Sequence, residues 1–146
     1  MNEVVIPGVR LAVDVGSVRI GLARSDPHGI LATPLEAVLA GDGAVARVAD
    51  IARECDAVEI VVGLPIGLNG VEGQAANIAR DWARNLAQCT EIPVVFVDER
   101  LSTVQAQRGL RAAGRTTKSS RAVIDSASAV VILQSYVDSY KKGSGQ

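Results

Sequence analysis

Three acidic residues stand where the sequence predicts regular elements to begin or end, and they are the candidates for chemistry. Asp14 closes the apolar segment 9–15, and Glu99 follows the apolar segment 94–98. Asp125 lies in the first turns of a predicted helix. A carboxylate is costly to bury unless it is paired or holds a cation. Because Mg²⁺ is a hard cation that takes oxygen ligands, these acids predict a magnesium site.

Apolar periodicity divides the chain into the elements that must position these acids. The first part predicts an antiparallel meander of three strands, over residues 9–15, 19–24 and 30–39. The elements predicted after it are a helix over about 45–55, a strand over 58–63, a helix over 75–86, a strand over 94–97, a helix from Ser102 or Thr103 to about Ala113, and a last helix capped by Ser119 or Ser120. The tail, 141–146, is predicted to be disordered.

This order of elements predicts one α/β domain over residues 1–146. Its five-stranded mixed sheet would hold three antiparallel meander strands followed by parallel strands, with helices on both faces. Parallel strands end at one edge, so Asp14 and Glu99 are expected to lie close together. The strand between them ends in Gly63, which leaves room for a ligand. Small residues at Ser128 and Ala129 would let the last helix carry Asp125 towards that edge.

Either Asp98 or Glu99 could be the second acid of this site. The two residues are adjacent, so the alternation of side chains along a strand places them on opposite faces. The sequence alone leaves both alternatives open. Arg100, the next residue, is expected either to pair with the acid that is not a ligand or to contact a phosphate.

A basic stretch lies between the second and third acids. Residues 100–121 contain no Asp or Glu, and their basic residues are Arg100, Arg108, Arg111, Arg115, Lys118 and Arg121. Beside an acidic metal site, such a stretch predicts contact with a polyphosphate backbone rather than a merely solvated helix face. Arg19, in the glycine-containing segment 14–21, is a further candidate for phosphate binding, with a solvated strand-edge charge as the alternative.

Composition restricts the remaining possibilities. The net charge of −1 excludes a globally basic nucleic-acid coat, and the 3% aromatic content argues against binding single strands by base stacking. His28 is the only histidine and is expected to lie on the surface in a turn. The lack of a second histidine and of a suitable Cys pair excludes zinc catalysis and Ser-His-Asp triads. No signal peptide or apolar membrane span is visible, so a cytoplasmic protein without membrane contact is expected. Cys55 and Cys89 are expected to be buried, reduced thiols, with a redox or interchain role as the alternative.

Four stretches, taken in chain order, resemble the YqgF (RuvX) family of Holliday-junction-resolvase-like nucleases, within the ribonuclease H-like superfamily. They are DVGSVRIGLA at 14–23, VGLPIGLNG at 62–70, DERLST at 98–103, and IDSASA at 124–129 running into ILQ at 132–134. Each stretch is modestly specific, whereas four in register are strongly so. Ser128 is a small departure, since the family pattern usually has Ala there.

The resemblance implies a ribonuclease H-like fold with a nuclease site dependent on Mg²⁺ or Mn²⁺. It assigns both catalysis and metal binding to Asp14, Glu99 and Asp125, and so favours Glu99 over Asp98. One or two ions are expected, with Asp14 bridging if there are two. The implied substrate is the 5′ end of precursor 16S rRNA, with branched DNA, the Holliday junction, as the older proposal. The protein would act as a monomer or a homodimer.

Two other functions are compatible with parts of this sequence. A non-catalytic nucleic-acid-binding module would keep the fold and lose the acids, whereas all three acids are present here. The segment from Asp14 to Gly16 also resembles the phosphate loop of sugar-kinase and actin-like ATPases. Those enzymes need two such domains, for which 146 residues are too few.

Overall fold

The computed structural model describes residues 7–66, 70, 72–101 and 126–144. In chain order its elements are β1 (Val9–Val15), β2 (Arg19–Ser25), β3 (Ala32–Leu39), α1 (Ala44–Glu54), β4 (Ala57–Leu64), α2 (Gln74–Cys89), β5 (Val94–Asp98), a 3₁₀ turn (Glu99–Leu101) and α3 (Ala127–Ser144). Each predicted strand is present, with its ends within two residues of the prediction.

The strands form one five-stranded sheet in the order β3-β2-β1-β4-β5. β1 pairs antiparallel with β2, and β2 pairs antiparallel with β3. β4 lies parallel to β1 on one side and to β5 on the other. The predicted mixed sheet is therefore confirmed, and the carboxyl ends of β1, β4 and β5 meet at one edge.

Alternate residues of β1 face two different helix layers. Leu11 and Val13 belong to the buried cluster that includes residues of α1 and α2. Ala12, between them, belongs to the cluster formed with α3. The prediction of helices on both faces is confirmed, and a strand covered on both sides needs apolar residues at successive positions.

Small side chains lie where α3 packs against the sheet. Ala12 and Ala23 on the strands and Ala129 on α3 are each fully buried in the same cluster. Ile132 and Leu133 complete the packed surface of the helix. Burying each of these larger side chains contributes about 1.5–3 kcal/mol to folding, so α3 is held firmly against the sheet.

A buried ion pair lies at the edge of the sheet where β1 and β4 begin. The Arg10 side chain, 6% exposed, lies 3.2 Å from the carboxylate of Glu59, and the Tyr136 hydroxyl donates to that carboxylate at 2.8 Å. Buried charges are tolerated when they are paired and hydrogen-bonded in this way. Glu59 thus fits into the otherwise apolar strand β4 without reaching the opposite edge, where the candidate site lies.

The last helix begins later than the sequence predicted. The structure places Ser126 in a turn and begins α3 at Ala127, whereas the predicted caps, Ser119 and Ser120, lie outside the described residues. The side chain of Ser126 is bonded to strand backbone instead of extending the helix. α3 continues to Ser144, and the disorder predicted over 141–146 stays a prediction. Lysine is a good helix former, and its charge is favourable near a helix carboxyl end.

Two smaller expectations concern single residues. Cys55 and Cys89 are both free thiols, but Cys89 is exposed, so its predicted burial is wrong. His28 lies on the surface in a turn held by Asp26.

Among the helices described here, none is sufficiently long and apolar to cross a membrane.

Candidate active site

Asp14 is the first of the acids at the shared edge of the sheet. It is the next-to-last residue of β1, lies directly opposite Gly21 on β2, and is half-buried. Because side chains alternate along a strand, Asp14 is on the same face as Ala12, which packs against α3. The carboxylate is therefore held on the α3 side of the sheet by the pairing of β1.

Gly63 separates β1 from β5 at this edge. Val13 is level with Val62 on β4, which places Gly63 beside Asp14, and Gly63 is paired in turn with Val97 on β5. A methyl group on Gly63 would lie 2.9 Å from Glu99 Oε1. The space left by the missing side chain is thus the space beside the Glu99 carboxylate.

The carboxyl groups of Asp14 and Glu99 interact directly across this space. The pKa of Glu99 is raised to about 7, first by burial and then by the negative charge of Asp14, a hydrogen bond with Asp14 and the charge of Asp98. Two carboxyl groups that repel each other in a partly desolvated site are most favourable when they share a proton or a cation. The sequence prediction that Asp14 and Glu99 lie close together is confirmed.

The metal-free protein is expected to lose stability as pH rises from about 4.5 to about 7. The folded state raises the pKa of Glu99 above its ordinary value of 4.5, so ionising Glu99 disfavours the fold. The effect should be roughly 1–2 kcal/mol, since one pKa unit corresponds to about 1.4 kcal/mol and the group is partly screened by solvent. Urea denaturation in EDTA at a series of pH values measures it.

The Glu99→Gln variant should lack this contribution, whereas Glu91→Gln, at an exposed position, should keep it. An identical pH profile for the wild type and Glu99→Gln would contradict the assignment of the destabilising charge to Glu99.

Asp98 has a different partner. Arg100 donates from its guanidinium to both carboxylate oxygens of Asp98, at 2.7–3.1 Å, and its backbone N–H donates at 2.9 Å. These bonds lower the pKa of Asp98 and raise that of Arg100. The sequence left open whether Arg100 pairs with an acid or contacts a phosphate, and in the structure it pairs with Asp98. Glu99, and not Asp98, lies against Asp14.

The other predicted site residues divide into two groups. Arg19 begins β2 and is exposed at the same end of the sheet as Asp14, after a turn so tight that a methyl group on Gly16 would lie 2.4 Å from the Arg19 carbonyl oxygen. The predicted residues that lie outside the described part of the chain are Arg108, Arg111, Arg115, Lys118, Arg121 and Asp125. Within residues 7–66, 70, 72–101 and 126–144, no three acidic, His or Cys side chains form a group that could hold a metal.

Two residues beside this site were not found from the sequence. Ile132 of α3 lies over Gly63, with its Cδ1 2.4 Å from the position that a methyl group on Gly63 would take. Ser126 binds the backbone of β2 and β3 near Asp14. Ile132 could have been found from the sequence, because it is an apolar residue three positions after Ala129 and so lies on the same face of the helix. No local feature of the sequence indicates the role of Ser126.

A comparison with protein families decides the assignment. The family model described as "RuvX: Holliday junction resolvase" matches residues 8–139. The chain belongs to this family. All four stretches that carried the resemblance lie inside the matched region, and the resemblance is thereby confirmed.

Relatives of this RuvX-family chain are similar over most of their length. A protein of Clavibacter michiganensis subsp. michiganensis, named "Putative pre-16S rRNA nuclease", is 55% identical over 87% of this chain and 81% of its own. A protein of Thermobifida fusca (strain YX) with the same name is 46% identical over 92% of this chain and 90% of its own.

A solved structure shows the same fold. RuvC of Thermus thermophilus, in complex with a Holliday junction substrate, superposes with a TM-score of 0.66 over 92% of this chain and 96% of its own, at 16% sequence identity. The RuvX-family chain therefore has the ribonuclease H-like architecture that the family resemblance implied. At this level of identity the likeness concerns the fold, and functional roles must be argued from the site itself.

Proposed function

We propose that the protein is a divalent-metal-dependent nuclease that hydrolyses phosphodiester bonds in precursor 16S rRNA. The observation that carries the proposal is the meeting of Asp14 and Glu99 at the shared edge of the sheet, with a pKa of about 7 for Glu99. Perturbed carboxyl groups converging in a gap between strands are typical of catalytic sites. The names of the relatives supply the substrate class.

The donor set at this edge fits Mg²⁺ or Mn²⁺. Asp14 and Glu99 offer hard oxygen ligands that repel each other, so a cation between them would relieve the repulsion. We assign Asp125 as the third ligand. The support is indirect: Ser126, the next residue, is bonded to the backbone N–H of Leu22, and Leu22 follows the residue that lies opposite Asp14.

The side chains of the site have separate tasks in this proposal. A bound divalent ion would polarise the phosphodiester group and lower the pKa of an attacking water. Asp14, on β1, and Glu99, in the 3₁₀ turn that follows β5, offer carboxylate oxygens in fixed positions, and Ile132 packs over Gly63 beside them. The Arg100 guanidinium keeps Asp98 engaged, and so prevents that carboxylate from competing with Glu99.

Basic residues around the edge would bind the phosphate backbone. Arg19 is exposed at the end of the sheet that carries the acids. We retain Arg108, Arg111, Arg115, Lys118 and Arg121 as proposed phosphate contacts, on the strength of the acid-free composition of that stretch. Contacts of this kind position a nucleic acid without reading its sequence, so the choice of substrate must depend on its shape.

A second candidate substrate is the four-way DNA junction. It is favoured by the description of the family model and by the shared fold with a junction-binding RuvC. Symmetrical cleavage of a junction requires two active sites, and hence a homodimer, whereas trimming an RNA end requires one. A mass in solution that corresponds to a dimer would therefore be compatible with junction cleavage, whereas a monomer would favour the RNA substrate.

The deciding experiment offers both substrates to the same preparation. A 5′-labelled RNA that carries the 5′ extension of 16S rRNA and a labelled four-way junction are incubated with Mn²⁺ or with EDTA, and the mass is measured by analytical ultracentrifugation. We expect cleavage of the RNA in Mn²⁺ and none in EDTA. Binding without cleavage of either substrate would identify a non-catalytic module instead.

A further inference from the structure

Ser126 is a buried polar residue at the start of α3. Its side chain is fully buried, and its hydroxyl accepts a hydrogen bond from the Leu22 N–H at 3.0 Å and donates one to the Leu35 carbonyl at 2.7 Å. Burying a hydroxyl is costly unless its bonds are made, and here both partners are backbone groups of the sheet. The residue thus makes specific contacts that an apolar side chain could not make.

These two bonds lie at an irregularity in the sheet. The pairing of β2 with β3 shifts after Ile20, which is opposite Val38, so that Leu22 is opposite Leu35. Such a bulge disrupts the regular exchange of backbone hydrogen bonds between neighbouring strands. At this point the Ser126 hydroxyl bridges the Leu22 N–H and the Leu35 carbonyl. The residue before α3 therefore takes part in the contact between β2 and β3.

The irregularity is adjacent to the candidate active site. Gly21, the residue before Leu22, lies directly opposite Asp14. Ser126 directly follows Asp125 in the chain. The Ser126 hydroxyl therefore connects β2, the strand that pairs with β1 at Asp14, to the residue that directly precedes α3.

A second side chain of α3 binds strand backbone in the same manner, far from the site. The Gln134 side-chain oxygen accepts from the Ala32 N–H at 2.9 Å, and its side-chain nitrogen donates to the Ile30 carbonyl at 3.0 Å. Gln134 is about two helical turns further along α3. It secures the helix to the sheet at the end of β3 that is remote from Asp14, so attachment of α3 does not depend on Ser126 alone.

We propose that Ser126 is a positioning residue of the nuclease site. Its hydroxyl holds the start of α3 to Leu22, beside the residue that lies opposite Asp14, and so fixes the β1–β2 pair that carries the Asp14 carboxylate. The inference rests on the proposed function, in which Asp14 is a ligand of the metal site. Mutation of groups that orient the ligands of a metal site typically lowers metal affinity or activity by about 10–100-fold.

The test compares Ser126→Ala with Gln134→Met. Both variants remove two side-chain bonds between α3 and strand backbone, and both should lower the melting temperature of the metal-free protein. Ser126→Ala should in addition lower kcat and weaken Mn²⁺ binding by about 10–100-fold each. Gln134→Met should stay within about threefold of the wild type. Mn²⁺ affinity is read by electron paramagnetic resonance of the free ion, independently of cleavage.

The pair Ser126→Thr and Ser126→Val controls for volume. Both add bulk to a buried position, and they differ only in the hydroxyl, so Thr should recover activity and Mn²⁺ affinity relative to Val. Equal values for Thr and Val would overturn the proposal. It would also be overturned if Ser126→Ala and Gln134→Met lost kcat in proportion to their loss of stability.

The wild-type protein separates this inference from the proposed function. If the wild type cleaves no nucleic acid in Mn²⁺, the proposed function fails and the role of Ser126 fails with it. If the wild type cleaves and the Ser126 variants behave like Gln134→Met, the positioning role alone is wrong.

Discussion

The Asp14→Asn variant is expected to lose Mn²⁺-dependent cleavage by about a thousandfold or more, while its metal-free form is at least as stable as the wild type. The loss of activity follows because the neutral amide removes one of the two charges that meet beside Gly63. Removing a group that acts only as part of a catalytic constellation typically has an effect of this size.

The expected stability has a separate cause. The charge of Asp14 and its hydrogen bond with Glu99 both contribute to raising the pKa of Glu99 to about 7. Neutralising Asp14 removes a like charge, so Glu99 can ionise with a smaller loss of folding free energy. At pH 8, where Glu99 is largely ionised in the wild type, the melting temperature of metal-free Asp14→Asn should be equal or higher.

Single-turnover cleavage and thermal denaturation in EDTA measure the two effects. Asp81→Asn is a suitable control because the Asp81 side chain is 68% exposed and is paired with Arg84 on the outer surface of α2. It should retain wild-type cleavage. Undiminished activity of Asp14→Asn would refute the proposed site. A variant that lost activity because it unfolded would show the opposite change in melting temperature.

The sheet was predictable from the sequence because its signals are local. β-branched runs and turn residues fixed each strand within two residues, and the order of elements fixed the topology. The start of α3 was not predictable in this manner. Ser126 occupies a turn because its hydroxyl binds Leu22 and Leu35, which are remote in the chain and meet only across a bulge. No window of sequence around Ser126 contains that information.

The candidate site was predictable in part. Topology alone brought Asp14 and Glu99 to one edge, but it could not choose between Asp98 and Glu99, because the face of β5 that meets α3 was unknown. The structure supplies that fact: Val95 and Val97 pack with the α3 cluster, and Glu99 continues their alternation. Once the face of the sheet is known for one residue of a strand, the alternation of side chains gives the face for its neighbours.

Gly63→Ala is expected to impair both cleavage and folding, by more than tenfold in kcat and about 1–3 kcal/mol in the free energy of unfolding. The added methyl group would lie 2.4 Å from Ile132 Cδ1 and 2.9 Å from Glu99 Oε1, so both side chains must move. Ile132 is only 2% exposed, and forcing extra volume into a packed core costs free energy of this order. Chemical denaturation and cleavage assays measure the two losses.

A second substitution separates the two contacts. Ile132→Val removes the Cδ1 atom that the new methyl group would meet, and leaves the contact with Glu99 in place. The double variant should therefore recover much of the stability lost by Gly63→Ala, but little of the activity. Recovery of both would mean that packing of α3, and not displacement of Glu99, accounts for the loss of cleavage.

Gly73→Ala serves as the matched control, since a methyl group there would have no atom of the described chain within 4 Å. It should keep wild-type kcat, with at most a small loss of stability from the changed helix cap. If Gly63→Ala were as well tolerated as Gly73→Ala, the gap between β1 and β5 would be wider than the contacts with Ile132 and Glu99 allow. The close approach of Glu99 to Asp14 would then have to be abandoned as the basis of the site.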